Sequence, residues 1–227
     1  MDSEPTQPLK QTGRTRLKRF PARGRFERAT INQILDTAVV AHLGFDYQGP
    51  AVLPMVFWRI GDHVYFHGSA KNRMFTALSS APQCCFVASL VDAFVLARAA
   101  LHHSVNYRSV VIYGPVQEIT EAGPKLEALK GLIGRFYPDR WEHIRPPSPS
   151  EFASVRVFRL AIEEASAKIR SGFPTPYAED FGIPVWAGVV PLEIGLGQPQ
   201  LDPNSAPDTP PPDLGKLAKM LRGSNGA

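Results

Sequence analysis

Short runs of β-branched and apolar residues follow one another at close spacing along most of the chain, with turn residues between them and few helical stretches. Residues 38–45, 51–59, 64–67, 83–90, 93–100 and 107–119 each read as a strand, and 153–170 as two strands or one bent one. Ile60-Gly61-Asp62-His63 supplies the tight turn of a hairpin. Gly114 and Pro115, inside the longest strand, mark a bulge or bend of the kind that closes barrels. No glycine-rich phosphate loop joins a strand to a helix, which disfavours a doubly wound dinucleotide fold. The pattern fits a mainly β chain closed into an antiparallel barrel with peripheral helices.

Three helices are expected. Thr30-Ile31-Asn32-Gln33 has the form of a capping box and predicts a helix from Thr30 to about Thr37 that buries Ile31, Ile34 and Leu35. A second, over 72–79, turns Met74, Phe75 and Leu78 inward, and a third, over 121–136, carries Leu126, Leu129, Leu132 and Ile133 on one side. The 227 residues suffice for one sizeable core, which we expect over 14–194, between a disordered segment 1–13 and a proline-rich disordered tail 195–227 with at most one marginal helical turn near its end. No apolar run approaches the roughly 18 residues of a membrane span, and the first ten residues are polar, so the expected location is cytoplasmic, with no membrane partner. Cys84 and Cys85 are adjacent on one strand, point to opposite faces and suit neither a disulfide nor a zinc site.

The formal charge of +4 is unevenly spread: residues 10–28 hold eight basic residues and one acid, a local +7, and the rest of the chain sums to −3. Such an arm could bind the phosphates of a nucleic acid or a cofactor, lie solvated on the surface, or strap a partner subunit; dedicated nucleic-acid binding is the least expected of these.

Two polar segments could carry chemistry. His67-Gly68-Ser69-Ala70-Lys71-Asn72-Arg73 lies where a strand gives way to a helix, with glycine for close backbone approach, helix amides and two cations, which together could seat a monophosphate. A polar turn with two surface cations would look the same. The second segment, His102-His103-Ser104-Val105-Asn106-Tyr107-Arg108-Ser109, opens the longest strand with more polar groups than a barrel core accepts. A ligand or a rim loop accounts for it equally, and two histidines without a carboxylate make a poor metal site.

An ordered set of motifs runs through Arg14-Thr15-Arg16-Leu17-Lys18-Arg19, Ile34-Leu35-Asp36, Leu53-Pro54-Met55, His67-Gly68-Ser69, Ser104-Val105-Asn106-Tyr107-Arg108-Ser109-Val110-Val111, Ser166-Ala167-Lys168-Ile169-Arg170 and Trp186-Ala187-Gly188-Val189-Val190-Pro191. Over residues 14–191 it resembles the pyridoxamine 5′-phosphate oxidase-related flavin-nucleotide-binding proteins, particularly the nitroimidazole reductase-like branch. The resemblance implies a six-stranded FMN-binding split barrel, a homodimer with flavin sites at the subunit interface, and an oxidoreductase that reduces a small-molecule electron acceptor of nitroaromatic or quinone type. It also implies that Leu53, Pro54, Met55 and Val56 line the isoalloxazine ring. His67, Gly68, Lys71, Asn72 and Arg73 would surround the phosphate and ribityl chain, and Arg108 and Ser109 would bond the flavin. Trp186 with Lys168 or Arg170 would reach in from the partner. His67 would be the catalytic group, a proton donor beside the flavin. The chain departs from the pattern at Asp139, where relatives carry glycine, and the substrate-phosphate residues of true pyridoxamine phosphate oxidases have no match here. The rival expectation is a non-catalytic flavin- or haem-binding carrier, with His67, His102 or His103 as axial ligand.

Overall fold

The computed structural model describes residues 7–137, 139–206, 210–211 and 213–222. In chain order, β1 (Gly24–Arg25) and α1 (Arg28–Thr37) precede β2 (Val40–Asp46), β3 (Pro50–Ile60), β4 (His63–Ser69), α2 (Arg73–Ser80) and β5 (Gln83–Leu96). Then come β6 (Ser104–Glu118), α3 (Ala122–Phe136), α4 (Pro149–Ser154), β7 (Val155–Ala161), β8 (Glu164–Arg170), β9 (Gly188–Pro191) and α5 (Gly215–Arg222). The pairings β6–β7–β4–β3–β2–β5 return to β6, so six antiparallel strands close a circuit, while β8 and β1 extend from β6 and β9 pairs with the end of β5.

Closure is made where glycine and proline foretell it. β6 pairs with β8 over Tyr107 to Tyr113 and with β7 from Val116, changing partner across Gly114 and Pro115. β5 runs straight past those two residues, so they form a bend and not a bulge. The bulge lies in β5, between Val91 and Ala93, and joins into one strand the two expected there.

The barrel interior is filled by Phe57, Phe66, Phe86, Phe158 and the inward face of α1, including Ile31, Ile34 and Leu35. Phe75 of α2 stacks on Phe158 at 5.0 Å between centroids and lies 6.4 Å from Phe66. A smaller cluster outside the barrel packs Leu129 and Leu132 of α3 against Trp58. No helix among the described residues is long and apolar enough to cross a membrane.

Helix boundaries depart from expectation for tertiary reasons. α1 starts at Arg28, with Thr30 already inside it and no side-chain cap at Glu27. Arg28 is held instead by Asp62 in the β3–β4 turn, at 2.9 Å, and by the Ile162 carbonyl at 3.2 Å. Its far end is closed by Arg135 of α3, which donates to the Leu35 carbonyl at 3.0 Å and to that of Ala38. A true capping box lies at Ser148 and Glu151, where Pro149 opens the unexpected α4.

The segments expected to be disordered fall partly outside the described residues. Within them, the Leu9 amide donates to the Phe26 carbonyl at 2.8 Å, and α5 forms in the tail. The arm lies on its own barrel, where Thr12 and Arg14 both bond Glu164 at the start of β8 and Thr15 is buried. Asp139 has φ 69°, so its backbone keeps the left-handed conformation a glycine would adopt.

Candidate functional site

β3 and β4 begin as a tight hairpin and then part. Their pairing runs from Ile60↔His63 to Phe57↔Phe66 and stops. Beyond it β4 follows β7 as far as Ser69↔Val155, while β3 follows β2 as far as Pro50↔Asp46. Among the described residues, the edge of β3 that faces away from β2 therefore has no strand partner over residues 50–56. Peptide groups on such an edge need water or a ligand.

The parting opens a cavity of about 500 Å³ lined by Leu53, Pro54, Met55, Val56, His67, Asn72 and Met74. His67 tilts against Trp58 at 5.7 Å between ring centroids, and its Nδ1 is buried with no hydrogen-bond partner among the described residues. Burial pushes the His67 pKa below its ordinary value, so the imidazole is neutral around pH 7 and keeps a lone pair.

The remainder of the first polar segment sits beside this cavity in part for structural reasons. Gly68 is required because a Cβ there would stand 2.6 Å from the Phe75 ring; the freedom it confers is used by a core aromatic. Asn72 caps α2, its Oδ1 accepting from the Met74 amide at 3.0 Å. Lys71 precedes that cap, and Arg73 opens the helix with its guanidinium 5.8 Å from the centre of the Tyr47 ring. Among the described residues neither Lys71 nor Arg73 has a carboxylate partner.

The other expected site residues are not brought to this cavity within one chain. Arg108 is engaged by Asp92, the bulge residue, with Nη2 to Oδ1 at 2.7 Å and Nε to Oδ2 at 3.0 Å, and lines a different cavity, of about 700 Å³, with Leu192 and Ile194. Ser109 donates to the Lys168 carbonyl at 3.3 Å, and Arg170 donates to Asn106 Oδ1. Trp186 is exposed, its ring against Gly188. His102 lies tilted against Tyr177 at 4.6 Å between ring centroids, with Nδ1 4.0 Å from Asp180. Sequence reasoning missed Met74 as a lining residue, Asp92 as the partner of Arg108 and Tyr47 under Arg73. Met74 carried a signal, the second position of a helix that follows a polar strand end, but its apolar character assigned it to the core alone.

No curated protein matches the chain. Among solved structures, the flavocytochrome Anf3 from Azotobacter vinelandii is 38% identical over 89% of this chain and 94% of its own, with a TM-score of 0.85. The FAD and haem binding protein from Mycobacterium smegmatis is 30% identical over 88% of this chain and 100% of its own, with a TM-score of 0.83. A candidate 5-nitroimidazole antibiotic resistance protein from Bacteroides thetaiotaomicron shares the fold, at 22% identity over 63% of this chain and 84% of its own and a TM-score of 0.55. The model for pyridoxamine 5′-phosphate oxidase matches residues 27–169, a span that takes in the six barrel strands and the parted hairpin with its cavity, and the chain therefore belongs to the pyridoxamine 5′-phosphate oxidase family.

Proposed function

We propose that the chain binds a flavin in the parting of β3 and β4 and works as an oxidoreductase that passes electrons to a small acceptor of nitroaromatic or quinone type. The observation that carries this reading is the bare edge of β3 opposite His67. A flat heterocycle with a polar rim would satisfy peptide groups along that edge, with Leu53, Pro54, Met55 and Val56 as its apolar lining. Lys71 and Arg73, without a carboxylate partner among the described residues, suit the phosphate that FMN and the flavin half of FAD share. Two relatives whose names carry a flavin support the choice of cofactor.

Once bound, a flavin supplies the two-electron chemistry. The residues of the chain orient it, and the apolar lining keeps water away. His67, neutral near pH 7, gains its second ring proton only as the pH falls through its lowered pKa, so any part it takes in proton delivery grows toward acid pH.

The same unpaired imidazole favours a second reading, haem held with His67 as axial ligand, with Met55 and Met74 beside it, in keeping with the haem of the Mycobacterium smegmatis relative. We place a second copy of the chain on the outward barrel face next to the cavity, where Val40, Val52 and Val56 are exposed. Absorption spectra and native mass spectrometry of the purified full chain test the proposal. Flavin bands with FMN or FAD bound to a dimer are expected, a Soret band would support the haem reading, and colourless protein that takes up neither group would overturn both.

A further inference from the structure

The cations of the N-terminal arm divide into two sets. Arg14 and Arg28 are spent on Glu164 and Asp62, which anchor the arm. Arg19 and Arg23 have no carboxylate among the described residues and are gathered instead on one ring, with guanidinium carbons 5.1 Å and 4.2 Å from the centre of Phe20. Phe20 itself is 47% exposed and left-handed, at φ 57° and ψ 57°, immediately before Pro21. An aromatic residue is a rare occupant of that region, and the residue before a proline is driven toward extended backbone, so this position is doubly strained.

The strained turn feeds β1, whose Gly24 pairs with Lys168, and this sets Arg23 beside the end of β8. Lys168 and Arg170 have no carboxylate partner among the described residues either, and the pKa of the Arg170 guanidinium is lowered first by burial and then by the charge of Arg23. Like charges crowded without a counter-ion favour an anion, and an exposed ring flanked by guanidiniums favours a stacked base. We propose that Arg19, Phe20 and Arg23, with Lys168 and Arg170 of β8, form a binding site for the adenosine-phosphate half of a dinucleotide.

The register sets the distance. Ser166, two residues before Lys168, stands in one row with Val111, Val87, His42 and Pro54. Four strand spacings, about 19 Å along the sheet, separate that end from the β3 cavity. An extended dinucleotide bridges such a span, whereas a mononucleotide seated at Arg73 leaves it empty. The adenosine phosphate belongs either to FAD, which rests on the flavin reading above, or to a nicotinamide dinucleotide that brings electrons.

Full-length protein, wild type and R19S/R23S, is titrated with FAD, FMN and NADPH, with ADP as competitor. The double variant is expected to lose roughly tenfold or more in affinity for FAD or NADPH and none for FMN, and Phe20→Ser to lose several-fold in the same direction. A loss confined to FAD assigns the site to the flavin, and one confined to NADPH assigns it to the donor. Wild type that takes up no flavin yet binds ADP, with that binding lost in the variant, would sink the flavin reading and keep this site. Equal losses for FMN and FAD, no loss for any probe, or ADP that fails to compete would overturn the proposal. The thermal midpoint checks folding, and the single Arg19→Ser, at an exposed position, gives a smaller loss in the same direction if the double variant is unstable.

Discussion

The two polar segments that stand out in the chain, around His67 and around Arg108, end in opposite states. Around Arg108 the polar groups of the strand find protein partners: Asp92 takes the guanidinium, Asn106 donates to the Gly172 carbonyl at 3.2 Å, and Ser109 donates to Lys168, while His102 Nδ1, ahead of the strand, is buried without a hydrogen bond among the described residues. Around His67 bonds are missing among the described residues, with an orphaned Nδ1, two cations without carboxylates and an unpaired strand edge. Polar density alone does not separate a ligand site from a structural network; unmet hydrogen-bonding capacity does.

Substitutions can break or sharpen this contrast. Asp92→Ala leaves a guanidinium only 16% exposed without its partner, and should cost about 3 kcal/mol in urea unfolding while sparing flavin affinity. A matching loss of flavin binding would return Arg108 to the cofactor. Arg73→Ala should do the reverse, weakening flavin binding by roughly 1.5–3 kcal/mol in a fluorescence titration with stability nearly unchanged. Gly68→Ala drives a Cβ into the Phe75 ring and should lower stability by about 1–2 kcal/mol, measured by thermal unfolding.

The smallest effect concerns pH. The folded pKa of His67 lies below 6.5, so between those two values the unfolded chain binds more protons than the folded one. The stability from keeping His67 neutral is therefore full above pH 6.5 and is lost as pH falls toward the folded pKa. His63, also depressed by burial, adds to the same slope. His67→Phe should flatten the loss of stability below pH 6.5 without abolishing it, as read from unfolding midpoints across that range.

Much of the barrel was legible because apolar runs and turn residues are local signals: residues 50–58 form an unbroken apolar run, Gly61 turns, and the strand returns. The start of α1 was not, since a contact from Arg28 to Asp62, distant in sequence, outweighs the local capping signal at Thr30. Asp92 read as a gap between two strands because one bulged residue interrupts the alternation that defines them. Of the site, the residues 53–56 and His67 were legible through the family resemblance, and the structure brings them together. The parting of β3 from β4 was not, for no residue encodes it: it follows from β4 continuing along β7 after β3 has turned to β2. Gly68 was legible as a constrained position but for another cause, since the ring that needs its space lies on the next helix.

The central claim, that a flavin completes the bare edge of β3, is tested most directly by hydrogen exchange at the amides of Val52 and Val56, which share the open side with the donor-less Pro54 while Leu53 and Met55 face β2, with and without added FMN or FAD. The account predicts that amides of this edge slow markedly when flavin is present, while those of β5 and β6 around Arg108 do not change. Protection confined to the Arg108 region, or flavin binding that leaves Val52 and Val56 exchanging as before, would contradict it.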